Sequence, residues 1–155
     1  LHELRGDELE AYNWVGGSRT GHEISFDTAN PAFNRDRSKP GDPWQSPLEF
    51  YQNVKEHIAY VHIKDCLSPS PENDNKEVYT YPGEGHGCVI EILQDLKDTG
   101  YAGGLSIEPH LAAVFHDADS NNQTDEDPKD IYIRYGRELM SILDSIDFQY
   151  TPYSS

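Results

Sequence analysis

Basic residues are few in this chain: 12 lysines and arginines stand against 28 aspartates and glutamates, a formal net charge of -16 at pH 7. That field repels phosphate backbones, and no lysine/arginine run overrides it locally, so a nucleic-acid partner is not expected. Cysteine is nearly absent, and Cys66 and Cys88 are too few for a disulfide framework. No apolar stretch approaches the ~20 residues of a membrane span, which removes a membrane partner from the expectations. The chain opens Leu-His-Glu-Leu-Arg, with neither an initiator methionine nor the apolar core of a signal peptide. A reduced cytoplasmic setting is therefore the default, and the missing methionine suggests a piece of something longer. There is no GxGxxG, no phosphate-binding P-loop and no internal repeat. With 155 residues, 35 % of them hydrophobic, the chain is long enough for one domain with a modest core.

What is present is a strand motif used three times. Tyr60-Val61-His62-Ile63-Lys64-Asp65 closes a short apolar, β-branched run beginning at Ile58 and ends in three polar groups. Ile24-Ser25-Phe26-Asp27 ends in a carboxylate, and Gly104-Leu105-Ser106-Ile107-Glu108 in another. In parallel α/β folds the carboxyl ends of strands form the functional face.

Helices fall between these runs. Ser46-Pro47-Leu48-Glu49 is a helix start, with Ser as N-cap and Pro in the first turn, and the helix should reach about His57, burying Leu48, Tyr51 and Val54 or Val54 and Ile58. Val89, Ile92, Leu93 and Leu96 recur at helical spacing up to a stop at Gly100. Asp130 to Leu143 reads as a final amphipathic helix built on Ile133, Leu139, Met140, Ile142 and Leu143. A short helix is expected within residues 1–15, a proline-rich loop over 31–46, a second long loop from Cys66 to about Cys88, and a solvated acidic loop over 117–128. Within the second loop, Tyr81-Pro82-Gly83-Glu84-Gly85-His86-Gly87 is either a flexible turn or backbone that approaches a ligand closely. The order strand, helix, strand, helix, strand, helix is that of βα repeats on a parallel sheet.

One Asp, one His and one Glu at the ends of such strands make an oxygen/nitrogen set for a divalent cation: Asp27, His62 and Glu108. The set suits Mn²⁺ or Mg²⁺ best, with Co²⁺ and Zn²⁺ as alternatives. Such an ion stabilises an enediolate as a proton leaves the carbon beside a carbonyl, and a ligating carboxylate with a free lone pair can take that proton. Each residue also has a plainer reading: an Asx turn before Asn-Pro for Asp27, a satisfied core histidine for His62, a helix-capping or surface carboxylate for Glu108. Side-chain alternation puts Lys64 on the face of His62, where its ammonium would meet a sugar hydroxyl or phosphate, or else lie at the rim as a surface lysine.

Four ordered motifs carry a family resemblance: Phe26-Asp27-Thr28-Ala29-Asn30-Pro31, Tyr60-Val61-His62-Ile63-Lys64-Asp65, Pro82-Gly83-Glu84-Gly85 and Gly100-Tyr101-Ala102-Gly103-Gly104-Leu105-Ser106-Ile107-Glu108-Pro109-His110. Together they resemble the sugar phosphate isomerase/epimerase family, whose members share the xylose isomerase-like TIM barrel. The resemblance implies metal binding by Asp27, His62 and Glu108, acid/base catalysis by Glu108, and a small sugar or sugar phosphate as substrate. Two positions depart from the family pattern. The upstream metal-binding Glu has no clear counterpart, Glu3 lying 24 residues before Asp27. A substrate-binding His of the ketose epimerases is replaced by Asn30, which can still hydrogen-bond a hydroxyl. A complete (β/α)₈ barrel needs roughly 200 to 250 residues, so the expected fold is the C-terminal portion of such a barrel over residues 1–148, with a disordered tail at 149–155. Exposed strand edges on such a fragment would favour a homo-oligomer. The competing readings are a non-catalytic or truncated half-barrel that binds a ligand, and an apurinic endonuclease-like hydrolase, which would need more metal ligands and a basic face.

Overall fold

A computed structural model describes residues 23–112 and 127–151. These form a mixed α/β unit around a three-stranded parallel sheet of β1 (Ile24–Asp27), β2 (Ile58–Ile63) and β5 (Gly104–Ile107), in that spatial order. Parallel neighbours need a crossover. Between β1 and β2 the chain passes through α1 (Pro47–Val54), and between β2 and β5 through α2 (Val89–Asp98); α3 (Pro128–Ser145) follows β5. The described residues show this open sheet and no closed barrel. The expected helix in residues 1–15, Glu3 and most of the acidic loop lie outside them. Among the described residues, no helix is long and apolar enough to cross a membrane.

The register divides the sheet into two unlike faces. Phe26 pairs with Val61 and Val61 with Leu105, while Ile63 pairs with Ile107. Phe26, Val61 and Ile63 are buried in one core with Tyr51 of α1, Ile92, Leu93 and Leu96 of α2, and Leu139 and Leu143 of α3. The alternate row is polar: Asp27 pairs with His62 and His62 with Ser106, with Lys64 and Glu108 just beyond the strand ends. Period-two alternation therefore gives the helices an apolar surface and leaves a row of chemistry on the opposite side.

The helices follow their local signals. Ser46 Oγ accepts the Glu49 N–H at 3.3 Å at the start of α1, Pro47 fills the first turn, and after Val54 the chain tightens into a 3-10 turn at Lys55–His57. Of its expected apolar face Tyr51 is fully buried, whereas Leu48 and Val54 pack only partly. Tyr51 Oη and Lys55 Nζ both donate to Asp95 of α2, at 2.8 and 3.0 Å. The α2 stripe is buried as its spacing predicts, and Gly100, at φ +72°, turns the chain away in the left-handed conformation that glycine adopts freely.

For α3 the expected buried face needs correcting. The helix starts at Pro128, capped by Asp127 through a 2.8 Å bond from the Lys129 N–H, and buries Ile131, Tyr135, Leu139 and Leu143. Ile133 and Met140 are each 41 % exposed. At about 100° per residue, positions 133 and 140 fall on the side opposite the row 131, 135, 139.

The span from Cys66 to Cys88 also differs from the expected loop. Asp65–Leu67 (β3) and Val78–Thr80 (β4) form an antiparallel ribbon that starts one residue after β2. Its connection contains a 3-10 turn at Pro71–Asn73 with a reciprocal Ser70–Asn73 cap, then Asp74 and Asn75 at φ 56° and 58°. Asp and Asn tolerate that region because their side chains bond locally. Upstream, the proline-rich stretch holds a 3-10 turn at Asn30–Phe33 and a bridge between Arg35 and Trp44. Residues 149–151 continue past α3 without secondary structure, Tyr150 Oη lying 3.3 Å from Asp144 Oδ1.

Candidate functional site

Asp27, His62 and Glu108 come together at the carboxyl ends of β1, β2 and β5, on the polar face. Asp27 is buried, and its two oxygens are used differently. Oδ1 accepts the N–H groups of Ala29 at 2.9 Å and Asn30 at 3.0 Å, which is the Asx turn anticipated as the plainer reading. Oδ2 lies 2.9 Å from Lys64 Nζ. Burial pushes the Asp27 carboxyl above its ordinary range, against the opposing pull of Lys64 and the two N–H groups.

Lys64 lies deeper than a rim lysine. It is 4 % exposed, and its ammonium reaches Glu108 Oε1 at 3.8 Å as well as Asp27. Its backbone is fastened to the neighbouring strand's end: the Lys64 N–H donates to Thr28 Oγ1 at 3.0 Å, and the same hydroxyl donates to the Lys64 carbonyl. The 3.1 Å bond from Thr28 N–H to His62 O holds the same junction.

Glu108 is the hub. Oε1 accepts from His110 Nε2 at 2.9 Å, and Oε2 faces His62 Nδ1 at 3.5 Å. The His62 ring nitrogen also lies 3.2 Å from Ser106 Oγ, one strand over. The bond from His110, with Lys64 and His62 adding positive charge nearby, holds the Glu108 carboxyl down at about 2. In the sequence, the one signal for His110 is its spacing of two after Glu108 in Glu108-Pro109-His110. Its ring packs 4.8 Å from that of Tyr79 on β4, and Tyr79 packs edge-on against Phe33 at 5.4 Å. An aromatic wall thus borders the carboxylate cluster. Asn30 is half-buried next to it in sequence, joined to Asp27 through its backbone N–H.

Because the folded pKa of Glu108 is depressed from an ordinary 4.5, its stabilising contribution is present above pH 4.5 and is lost as pH falls towards about 2. Thermal unfolding of Glu108→Gln should accordingly lose less stability between pH 4.5 and 2 than that of the parent. Equal slopes would mean that the contacts of Glu108 leave no mark on the folded state. The carboxylate is 40 % exposed, so solvent screening keeps the difference modest.

In donor type the set suits a divalent cation, but in placement it does not. Among the described residues, no three His, Cys, Asp or Glu side chains are gathered so as to hold a metal ion. The position between Asp27 and Glu108 is filled by the Lys64 ammonium.

Asp65, next to Lys64, has a different task. Fully buried, its carboxylate accepts four backbone N–H groups: Gly83 at 2.8 Å and Gly85 at 3.1 Å on Oδ2, Gly87 at 2.8 Å and Cys66 at 2.8 Å on Oδ1. Its own N–H donates to Tyr135 Oη of α3 at 3.0 Å. The glycine-rich loop is therefore wound around an internal anion. A Cβ at Gly85 would collide with Asp65 Oδ1 and the Cys66 backbone.

The fold and the cluster together define an α/β unit with a polar, ion-paired face at its parallel strand ends. Comparison with family models, with curated proteins and with solved structures gave no match.

Proposed function

We propose that the chain is the C-terminal portion of a xylose isomerase-like (β/α)₈ barrel that isomerises or epimerises a sugar or sugar phosphate by proton transfer beside a carbonyl. The observation that carries this reading is the convergence of Asp27, His62, Lys64 and Glu108 at adjacent parallel strand ends on one polar face. In such a reaction a base removes a proton from carbon while positive charge steadies the oxygen that gains electrons.

The residues divide that labour. Lys64 supplies a fixed positive charge for a carbonyl or hydroxyl oxygen, and Glu108 supplies the base. Held at about 2, Glu108 is a weak base in its resting contacts. A substrate that draws His110 or Lys64 away returns it towards ordinary carboxylate basicity, so base strength rises on binding. Asn30 is the hydroxyl-binding residue of the proposal, and the Tyr79–Phe33 wall gives the apolar face of a sugar a surface to rest on. A divalent cation, Mn²⁺ or Mg²⁺, at Asp27, His62 and Glu108 is what the resemblance implies, but the resting cluster, with the Lys64 ammonium between its carboxylates, does not fit one, and no step of the proposed reaction runs through it.

Calorimetric titration of Mn²⁺ tests that misfit: no site is expected in the parent, and one site weakened at least tenfold in His62→Ala would restore the cation to this set. Binding of equal strength in parent and variant would remove His62 from the ligand set.

A further inference from the structure

Lys64 stands between two carboxylates that differ in depth. On one side Asp27 Oδ2 lies 2.9 Å from Nζ, and the Asp27 side chain is 9 % exposed. On the other, Glu108 Oε1 lies at 3.8 Å on a side chain 40 % exposed, with His62 and His110 half-buried around it. We infer that Lys64 forms a covalent iminium with the carbonyl of a polyhydroxy ketone or aldehyde, Asp27 taking and returning its proton. The inference deepens the reading of this face as a site for proton transfer beside a carbonyl, and rests on it.

The geometry supplies each part. Lysine is the side chain that condenses with carbonyls, and it attacks as the neutral amine. Asp27 Oδ2 is in hydrogen-bond reach to accept the proton, and burial already pushes that carboxyl above its ordinary range. Passing the proton across turns two buried charges into a neutral amine and a neutral carboxyl, a change that poor solvation assists. Substrate reaches Nζ from the open, Glu108 side. Thr28 Oγ1 holds the Lys64 N–H and carbonyl, so the amine is presented from a fixed backbone and nothing has to vacate the cluster.

The steps balance. The amine nitrogen bonds to the carbonyl carbon, the π pair moves to oxygen, and a nitrogen proton follows it. The resulting hydroxyl leaves as water with the proton held by Asp27. A positively charged iminium then faces the Asp27 carboxylate, so the cluster keeps the charge balance it had with the ammonium. Glu108 takes a proton from the adjacent carbon, and that C–H pair flows towards nitrogen as an enamine forms. Return of a proton to carbon and addition of water release the sugar and restore the amine.

The test is reductive trapping of the parent chain with dihydroxyacetone, the smallest ketose, and cyanoborohydride, read by peptide mass mapping. Hydride delivered to the iminium carbon fixes the sugar on nitrogen. Exposure alone would label Lys39 first, its side chain being 44 % exposed against 6 % for Lys64. Lys64 should instead be labelled at least tenfold faster than Lys39, and Asp27→Asn should erase that advantage. Label on Lys39 with none on Lys64 overturns the inference. If carbon-bound hydrogen still exchanges with D₂O in that case, the proposed proton transfer stands without the iminium. If Lys64 is labelled and no carbon-bound hydrogen exchanges, the iminium stands and the isomerase reading falls. Undiminished labelling of Lys64 in a folded Asp27→Asn variant removes Asp27 from the step. Should that variant not fold, the order of labelling in the parent decides.

Discussion

Asp65→Ala is expected to cost about 3 to 5 kcal/mol of folding stability, a large share of the roughly 5–15 kcal/mol that a native domain holds. Four N–H groups converge on that carboxylate, and each hydrogen bond to a charged acceptor is worth roughly 1.5–3 kcal/mol, less where water can replace it. Gly83 lies at the surface and will rehydrate, whereas Gly87 and Cys66 are buried and will not. Urea denaturation measures the loss directly. Asp65→Asn, which retains one acceptor oxygen, should fall between parent and Ala variant. Gly85→Ala should be comparably damaging, because its Cβ has nowhere to go. A loss below about 1 kcal/mol in Asp65→Ala would show that the loop does not depend on its internal anion.

Glu108→Gln should lower exchange of a substrate's carbon-bound hydrogen with D₂O by about 10³-fold, within the range that general acid–base groups supply. Glutamine matches the carboxylate in shape and can still accept from His110, so the urea midpoint at neutral pH should fall only modestly, through the loss of the carboxylate's charge interactions. The readout is incorporation of deuterium into ketoses and ketose phosphates, followed by NMR. His110→Ala, which releases Glu108 from its strongest contact, should move the pH profile of exchange to higher values instead of abolishing it. If Glu108→Gln exchanges hydrogen as fast as the parent, Glu108 has no part in proton transfer.

The sequence carried some of this plainly. β2 runs over Ile58–Ile63 and α2 from Val89, both as read, because continuous apolar runs and 3,4-spacing are signals internal to a segment. The ribbon of β3 and β4 was not legible. Each strand has three residues, and what holds them depends on one aspartate meeting glycine N–H groups 18 to 22 positions away. At the site, alternation correctly put Lys64 on the face of His62 but could not give its depth. Burial depends on what packs around the strand end, and there Thr28 and the two carboxylates enclose it. In α3, Ile133 and Met140 looked like core by hydropathy, yet Tyr135 takes the inner position because its hydroxyl has a partner in the Asp65 N–H. A polar tip satisfied inside the fold outweighs a wholly apolar side chain in the wrong phase.

Lys64 and Asp65 are consecutive, one anchoring the carboxylate cluster and the other the glycine loop. The peptide joining them is gripped at both ends, its carbonyl by Thr28 just past β1 and its N–H by Tyr135 of α3. A displacement of the glycine loop would reach the ammonium only through that one peptide. Substitutions among the glycines would therefore be felt as a change in the cluster's charge balance, even where they touch none of its members.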